Sequence, residues 1–169
     1  RKPFLRYTLE IAVDRNGRVS VDLQGKVREN VVWLPRLGFE CTLPETNMPF
    51  RYYGCGPTDS YCDLHHGGIV GMYESTPDRE YVPYVRPQEH GNHTDVRLLE
   101  IGRLCIESES AFECNVSHFS TAALDRAEHT DELISDGKTH LRLDYKVSGI
   151  GSNSCGPELR PQYRFSEKD

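Results

Sequence analysis

The sequence lacks the features that would tie it to a membrane, a nucleic acid or a disulfide scaffold. No apolar run approaches the ~18 residues of a membrane helix, and the mean hydropathy is −0.61. The 20 Lys and Arg residues, against 26 Asp and Glu for a net charge of −6, form no basic stripe. That argues against nucleic acid and anionic membrane as partners. The opening, "RKPFLRYTLEI", has two early basic residues, but polar residues interrupt its apolar positions, so it does not read as a signal peptide. No Met stands at position 1, and the chain is expected to begin inside a strand, as a piece of something longer. Six cysteines (41, 55, 62, 105, 114 and 155) include no C-x2-C pair and no dense framework. With 169 residues the chain can bury a core without staples. We read the cysteines as mostly free thiols in a reducing compartment, which implies a cytoplasmic location. The two sequons, at Asn92 and Asn115, carry meaning only in a secreted chain.

Period-two alternation dominates what is present. In "YTLEIAV", Tyr7, Leu9, Ile11 and Val13 share one face, and in "RVSVDL", Val19, Val21 and Leu23 share another. This is the pattern of half-buried antiparallel strands. A two-residue Asn16-Gly17 turn would set Val13 opposite Ser20. A three-residue loop, Arg15-Asn16-Gly17, sets Val13 opposite Val19 and Ile11 opposite Val21, with Asp14 beside Arg18. We therefore expect a type I turn with a G1 bulge and Gly17 in the left-handed region. Further strands are expected at 38–43, 50–53, 68–73, 81–85, 95–101, 111–116, 139–147 and 162–165. One short helix is expected in "STAALDRAEHTDEL", with Ser120 as N-cap. Many short strands with Gly and Pro between them imply an all-β antiparallel sandwich in a single domain.

Four clusters could carry chemistry. Cys55, Cys62, His65 and His66 suit zinc by residue type, but C-x6-C-x2-H is unlike the usual spacing, and adjacent histidines on a strand would point apart. The carboxylates Asp59, Asp63, Glu74, Asp78, Glu80, Glu89 and Asp95 could include a glycosidase pair, although spacing in sequence cannot give the separation of about 5–9 Å that such a pair needs. No nucleophile motif supports a Ser–His–Asp or Cys–His centre. The segment "YVPYVRPQEHGNHTDVR" is the densest, with Arg86, Glu89, His90, Asn92, His93, Asp95 and Arg97 in one short span. It reads either as a polar network lining or supporting a sugar site, or as a buried salt-bridge network, such as Arg86 or Arg97 with Glu89, that fixes a turn.

The glycine-rich stretch "YKVSGIGSNSCGPEL" could be a phosphate cradle, a redox loop or a turn. A cradle needs a helix to follow it, whereas Pro157 and Pro161 come next. A redox role for Cys155 lacks a basic neighbour in sequence. What remains is a loop closing a clean strand.

Read together, "YYGCGPTDSYCD", "GMYESTPDREYVPYVRPQEHGNHTDVRLLEI", "NVSHFSTAALDRAEHTDEL" and "LDYKVSGIGSNSCGPELRPQYRF" closely resemble the C-terminal small-chain domain (domain 5) of bacterial β-galactosidases of glycoside hydrolase family 2. The resemblance runs over nearly the whole chain. It implies a large antiparallel super-sandwich like that of galactose mutarotase, with the first strands missing here. It implies a parent enzyme that hydrolyses terminal β-D-galactosides such as lactose with retention. The catalytic glutamates, Mg²⁺ and often Na⁺ would lie in a TIM barrel elsewhere in that parent, so no cofactor is expected in this fragment, which alone would be inactive. The parent would be a homo-oligomer.

The family loop Gly-x-Gly-Gly-Asp-Asp-Ser-Trp falls on Gly149 to Cys155. The resemblance thus makes Gly151, Ser152, Asn153, Ser154 and Cys155 part of an active-site rim, with Cys155 in place of a tryptophan platform. The family pattern Gly-x-Gly-Pro-x-Glu-Asn-Tyr-x-Asp-Arg appears as Gly54 to Leu64. Asp59 and Leu64 stand at its Glu and Arg positions, so no ion pair through that Arg can form, and His65 or His66 would have to compensate. Two other readings remain open: a stand-alone carbohydrate-binding β-sandwich, and a mutarotase-like enzyme using a His and a Glu.

Overall fold

The computed structural model describes residues 3–151 and 156–167. Among the described residues the strands are β1 (Leu5–Val13), β2 (Val19–Val27), β3 (Arg36–Leu43), β4 (Phe50–Gly56), β5 (Ile69–Ser75), β6 (Asn92–Ile101), β7 (Leu104–Ser117) and β8 (Thr139–Val147). Two short helices, α1 (Pro77–Glu80) and α2 (Thr121–Arg126), complete the list of longer elements. Every named strand pairing is antiparallel. The strands form a two-stranded sheet, β1-β2, and a six-stranded sheet in the order β3-β8-β7-β6-β4-β5. The all-β antiparallel reading of the sequence holds.

The β1–β2 hairpin has the expected register, with Val13 opposite Val19, Ile11 opposite Val21 and Leu9 opposite Leu23. Gly17 lies at φ 82°, and its N–H donates to the Asp14 carbonyl at 3.1 Å. The Asp14 N–H donates to the Arg18 carbonyl at 3.0 Å. Asp14 Oδ1 accepts from the Asn16 and Arg18 amides, which holds its carboxyl below the usual range. The half-burial predicted for this hairpin is not observed. Tyr7, Ile11, Val13, Val19 and Val21 are each more than half exposed. Alternation gathers apolar groups on one face, but burial needs a second layer; the described residues supply one only at the open end, where Val27 and Leu5 pack against Leu34, Phe165 and Leu37.

The six-stranded sheet carries the main core on one face: Phe50, Tyr52, Val96, Leu99, Ile101, Phe112, Cys114, Val116 and Leu141. Cross-strand pairing makes the cluster, since Phe50 faces Ile101 and Tyr52 faces Leu99. At about 25 cal/mol per Å² of apolar area, each such side chain contributes on the order of 2 kcal/mol. The opposite face is buried as well, and it is polar. His140, Arg142 and Asp144 of β8 are buried along with Leu141, so the first half of β8 is buried on both faces, while Tyr145 near its end is more than half exposed.

Two expected strands are absent. Tyr81–Val85 follows α1 as irregular chain. Pro83 has no N–H to give a ladder and fixes its own φ. The segment is tied down instead by the Thr130 hydroxyl, which donates to the Tyr84 carbonyl at 2.9 Å, and by the Tyr81 ring against His90 and Phe119. Residues 162–165 form no strand either. Pro161 opens a 3-10 turn over Pro161–Tyr163, and of the expected strand Phe165 alone bridges, to Leu34. The short helix expected in this segment is α2: Ser120 Oγ caps it by accepting from the Ala123 amide at 3.1 Å, and a separate 3-10 turn follows at Thr130–Glu132.

Candidate functional site

The chain leaves β8 at Val147 and enters the glycine loop through a set of fixed contacts. The Ser148 amide donates to the Pro35 carbonyl at 2.8 Å, and its hydroxyl donates to the Leu34 carbonyl at 2.6 Å. Ser148 Oγ also accepts from the Phe165 amide at 2.9 Å. The Gly149 amide donates to the Tyr163 carbonyl at 2.9 Å. The Asp63 carboxylate then takes the next two amides, Ile150 N–H at 3.1 Å and Gly151 N–H at 2.8 Å.

A Cβ at 149 would meet Asp63 Cγ at 2.5 Å, so any side chain there must displace the Asp63 carboxylate. Gly151 sits at φ 58°, the left-handed region that favours glycine. Ser152, Asn153, Ser154 and Cys155 lie outside the described residues. On the far side of the loop the buried Leu159 gives its carbonyl to Arg164 Nε at 2.7 Å, and Arg164 Nη2 reaches Glu158 at 3.0 Å.

Asp63 comes from the Gly54–Leu64 segment, which the structure also clarifies. Asp59 Oδ2 accepts the Gly91 amide at 3.3 Å. Leu64 is half exposed and exchanges two 2.8 Å backbone hydrogen bonds with Tyr61. The His65 and His66 rings stack with centroids 4.8 Å apart, rather than pointing apart, because they sit in a turn before β5. Their contacts do not replace the missing arginine: His65 Nδ1 lies 3.2 Å from the Tyr61 carbonyl oxygen. Cys55 and Cys62 are separated in role, with Cys55 buried and Cys62 Sγ donating to the Tyr163 carbonyl at 3.5 Å. Among the described residues no three His, Cys, Asp or Glu side chains converge on a metal position.

The dense segment 81–97 divides between the two faces of the sheet and the surface. Glu89 joins a buried polar belt, but its ion-pair partner is neither Arg86 nor Arg97. Arg36 of β3 donates to Glu89 Oε2 at 2.8 Å and forks onto both oxygens of Asp144. Burial works against the Arg36 charge, yet these carboxylates push its pKa upward. Burial raises Asp144 in spite of the same pairing.

Asn92 donates to Glu113 Oε2 at 2.6 Å and to the Ser60 carbonyl at 3.0 Å. Glu113 Oε1 accepts the Val147 amide at 3.0 Å, directly before the loop. Burial pushes the Glu113 carboxyl up to about 7, against those two hydrogen bonds. Arg142, 2% exposed, ties Glu40 at 3.0 Å, Thr121 at 2.8 Å, Asn115 at 2.6 Å and the Phe119 carbonyl at 2.5 Å.

His93 lies on the apolar face instead, opposite Cys114. Its Nδ1 is 3.2 Å from the Cys55 carbonyl oxygen, its Nε2 is 3.1 Å from Glu80, and its ring packs 4.2 Å from Tyr52. Asp95 sits at φ 57° within the bulged part of β6. Arg97 reaches the Glu109 carbonyl at 3.2 Å, and Arg86 is exposed.

The sequence reading missed Arg36, Glu113, Asn115, Asp144 and Arg142 as members of this belt. The available signal was the polar positions of "FECNVS" and "THLRLDYKV", which become neighbours only in the β7–β8 register.

These features define a class: an open, antiparallel β-domain that presents a pinned glycine loop at the end of a central strand of its larger sheet. The chain belongs to the family described as "Beta galactosidase small chain", whose model matches residues 1–169. Among curated relatives, a beta-galactosidase of Actinobacillus pleuropneumoniae is 33% identical over 100% of this chain. One from Staphylococcus xylosus is 35% identical over 98% of it, and one from Kluyveromyces lactis 37% identical over 80%. The match covers 17%, 17% and 14% of those proteins, so the chain spans about a sixth of the relatives' length.

Proposed function

We propose that this chain is the C-terminal, non-catalytic part of the small-chain domain of a β-galactosidase that hydrolyses terminal β-D-galactosides, lactose among them, with retention of configuration. In this reading the loop from Gly149 to Gly156, including Gly151, Ser152, Asn153, Ser154 and Cys155, lies on the rim of an active site whose glutamates belong to a TIM barrel of the same parent chain. Mg²⁺ and Na⁺ belong there too, and the parent is a cytoplasmic homo-oligomer.

The observation that carries the reading is the loop itself: a glycine-rich turn held by Asp63 and Tyr163 at the end of β8, on a chain of this family. The uncovered apolar face of β1–β2 supports a partial domain completed by other parts of the parent. The free thiols at all five described cysteines support a reducing compartment.

The test is hydrolysis of o-nitrophenyl galactoside and lactose by the full-length parent. Activity there, its loss in the isolated chain, and altered KM when residues 152–155 are replaced by glycine are the expected results. A parent without galactosidase activity overturns the proposal.

A further inference from the structure

We propose that Asp63 is a positioning residue that sets the conformation of the glycine loop, and through it the handling of the leaving group in galactoside hydrolysis. The inference rests on the rim reading above. Asp63 lies 88 positions before Gly151 in the chain, so the contact is tertiary and no feature of the loop's own sequence supplies it. Its two carboxylate oxygens take two consecutive amides, one each: Oδ1 from Ile150 and Oδ2 from Gly151. A carboxylate spanning two adjacent N–H groups defines both the direction and the depth of the chain at that point, as backbone nests do for anions.

Three further observations show that the contact is built rather than incidental. Gly149 packs so closely on Asp63 that any side chain there would displace the carboxylate. Gly151 takes the left-handed turn that brings its amide onto Oδ2. Asp63 is itself anchored through its neighbour, because Cys62 Sγ donates to the same Tyr163 carbonyl that accepts the Gly149 amide. The entry to the loop is thereby locked to the 54–64 segment and to the C-terminal turn at once. Among the described residues the Asp63 carboxylate bonds to backbone amides, so it positions and does not react.

Removing it frees two amides whose bonds to a charged acceptor are among the stronger ones available to a loop. In the full-length parent, Asp63→Ala is expected to raise KM for lactose about tenfold. It should also change the ratio of kcat/KM between lactose and o-nitrophenyl galactoside, because the two differ only in the leaving group. Asp63→Asn, which keeps one acceptor oxygen, should fall between. Gly149→Ala, which pushes the carboxylate away, should reproduce the effect with Asp63 intact.

A loss of folded enzyme would lower kcat equally for both substrates and leave KM and the ratio unchanged; that pattern overturns the proposal. Amide exchange in the parent gives a readout free of activity. Exchange at Ile150 and Gly151 should quicken in Asp63→Ala and Asp63→Asn while β8 stays protected. Unchanged exchange overturns the role of Asp63. Quickened exchange, with kinetics that neither Asp63→Ala nor the glycine replacement of residues 152–155 alters, overturns the rim reading and with it the effect on the leaving group.

Discussion

Arg36 Nη1 donates to Glu89 Oε2 at 2.8 Å, joining β3 to the segment before β6 across 53 positions of sequence. The same guanidinium forks onto Asp144, whose side chain is 3% exposed. One cation therefore balances two carboxylates beneath the sheet. Such groups strongly destabilise a fold when one partner is removed, because a buried charge is left without compensation.

Arg36→Met is accordingly expected to cost about 3 kcal/mol. Adding Asp144→Asn should recover part of that loss, since a buried amide is less costly than a buried unpaired carboxylate. Urea unfolding of the single and double variants measures both. Equal stability of the wild type and Arg36→Met would remove the belt from the account of stability.

Glu113 predicts a pH dependence. Its folded-state pKa is raised to about 7 by burial, above the ordinary value of 4.5. The folded state thus holds this proton more tightly than the unfolded chain. The associated stability is fully present below about pH 4.5 and is lost as pH rises through about 7. The slope in that window is at most about 1.4 kcal/mol per pH unit for one proton. In Glu113→Gln that component of the slope should vanish. Unfolding free energies measured from pH 4 to 8 decide it, and an unchanged slope would assign the titration to other groups.

The glycines separate two mechanisms of strain. At Gly38, in the irregular register of β3 against β8, a Cβ would sit 2.3 Å from the Leu143 carbonyl oxygen and 2.5 Å from Asp144 Cα. These are backbone atoms of a buried strand and cannot retreat. Gly38→Ala should therefore cost more than about 3 kcal/mol and disrupt the β3–β8 edge. At Gly17 the backbone lies at φ 82°, with nothing within 4 Å of a Cβ. Gly17→Ala should cost only about 1 kcal/mol, and Gly17→Asn less. Thermal unfolding of the three variants ranks them.

The cysteines should differ in reactivity. Cys41 and Cys105 are exposed, whereas Cys55 and Cys114 are buried. Burial pushes the Cys114 thiol up, and the nearby Glu80 adds to the effect. A thiol reagent applied to the native protein should label Cys41 and Cys105 first, and Cys55 and Cys114 only with unfolding. Mass mapping of the labelled peptides checks this, and early labelling of Cys114 would contradict the packing of the β7 core.

Local features were legible in the sequence where the physics is local. The hairpin register followed from matching apolar faces around a three-residue loop, and Gly17 took the conformation that loop demands. β8 was found within its exact limits because its alternation is unbroken from Thr139 to Val147. Tyr81–Val85 and residues 162–165 were misread for the same local reason: their apolar and aromatic residues suggested strands, while prolines denied them ladder partners.

The sequence by itself determined an antiparallel β-chain, its hairpin turn and the position of the glycine loop, because periodicity and turn chemistry act over a few residues. Tertiary structure alone decided that Glu89 pairs with Arg36, that His140, Arg142 and Asp144 of β8 are buried, and that the apolar face of β1–β2 is exposed toward its turn. It also decided that Asp63, rather than any residue near the loop, holds Ile150 and Gly151. Those contacts join positions brought together by the strand order, and strand order is a property of the packed sheet that no short stretch of sequence encodes.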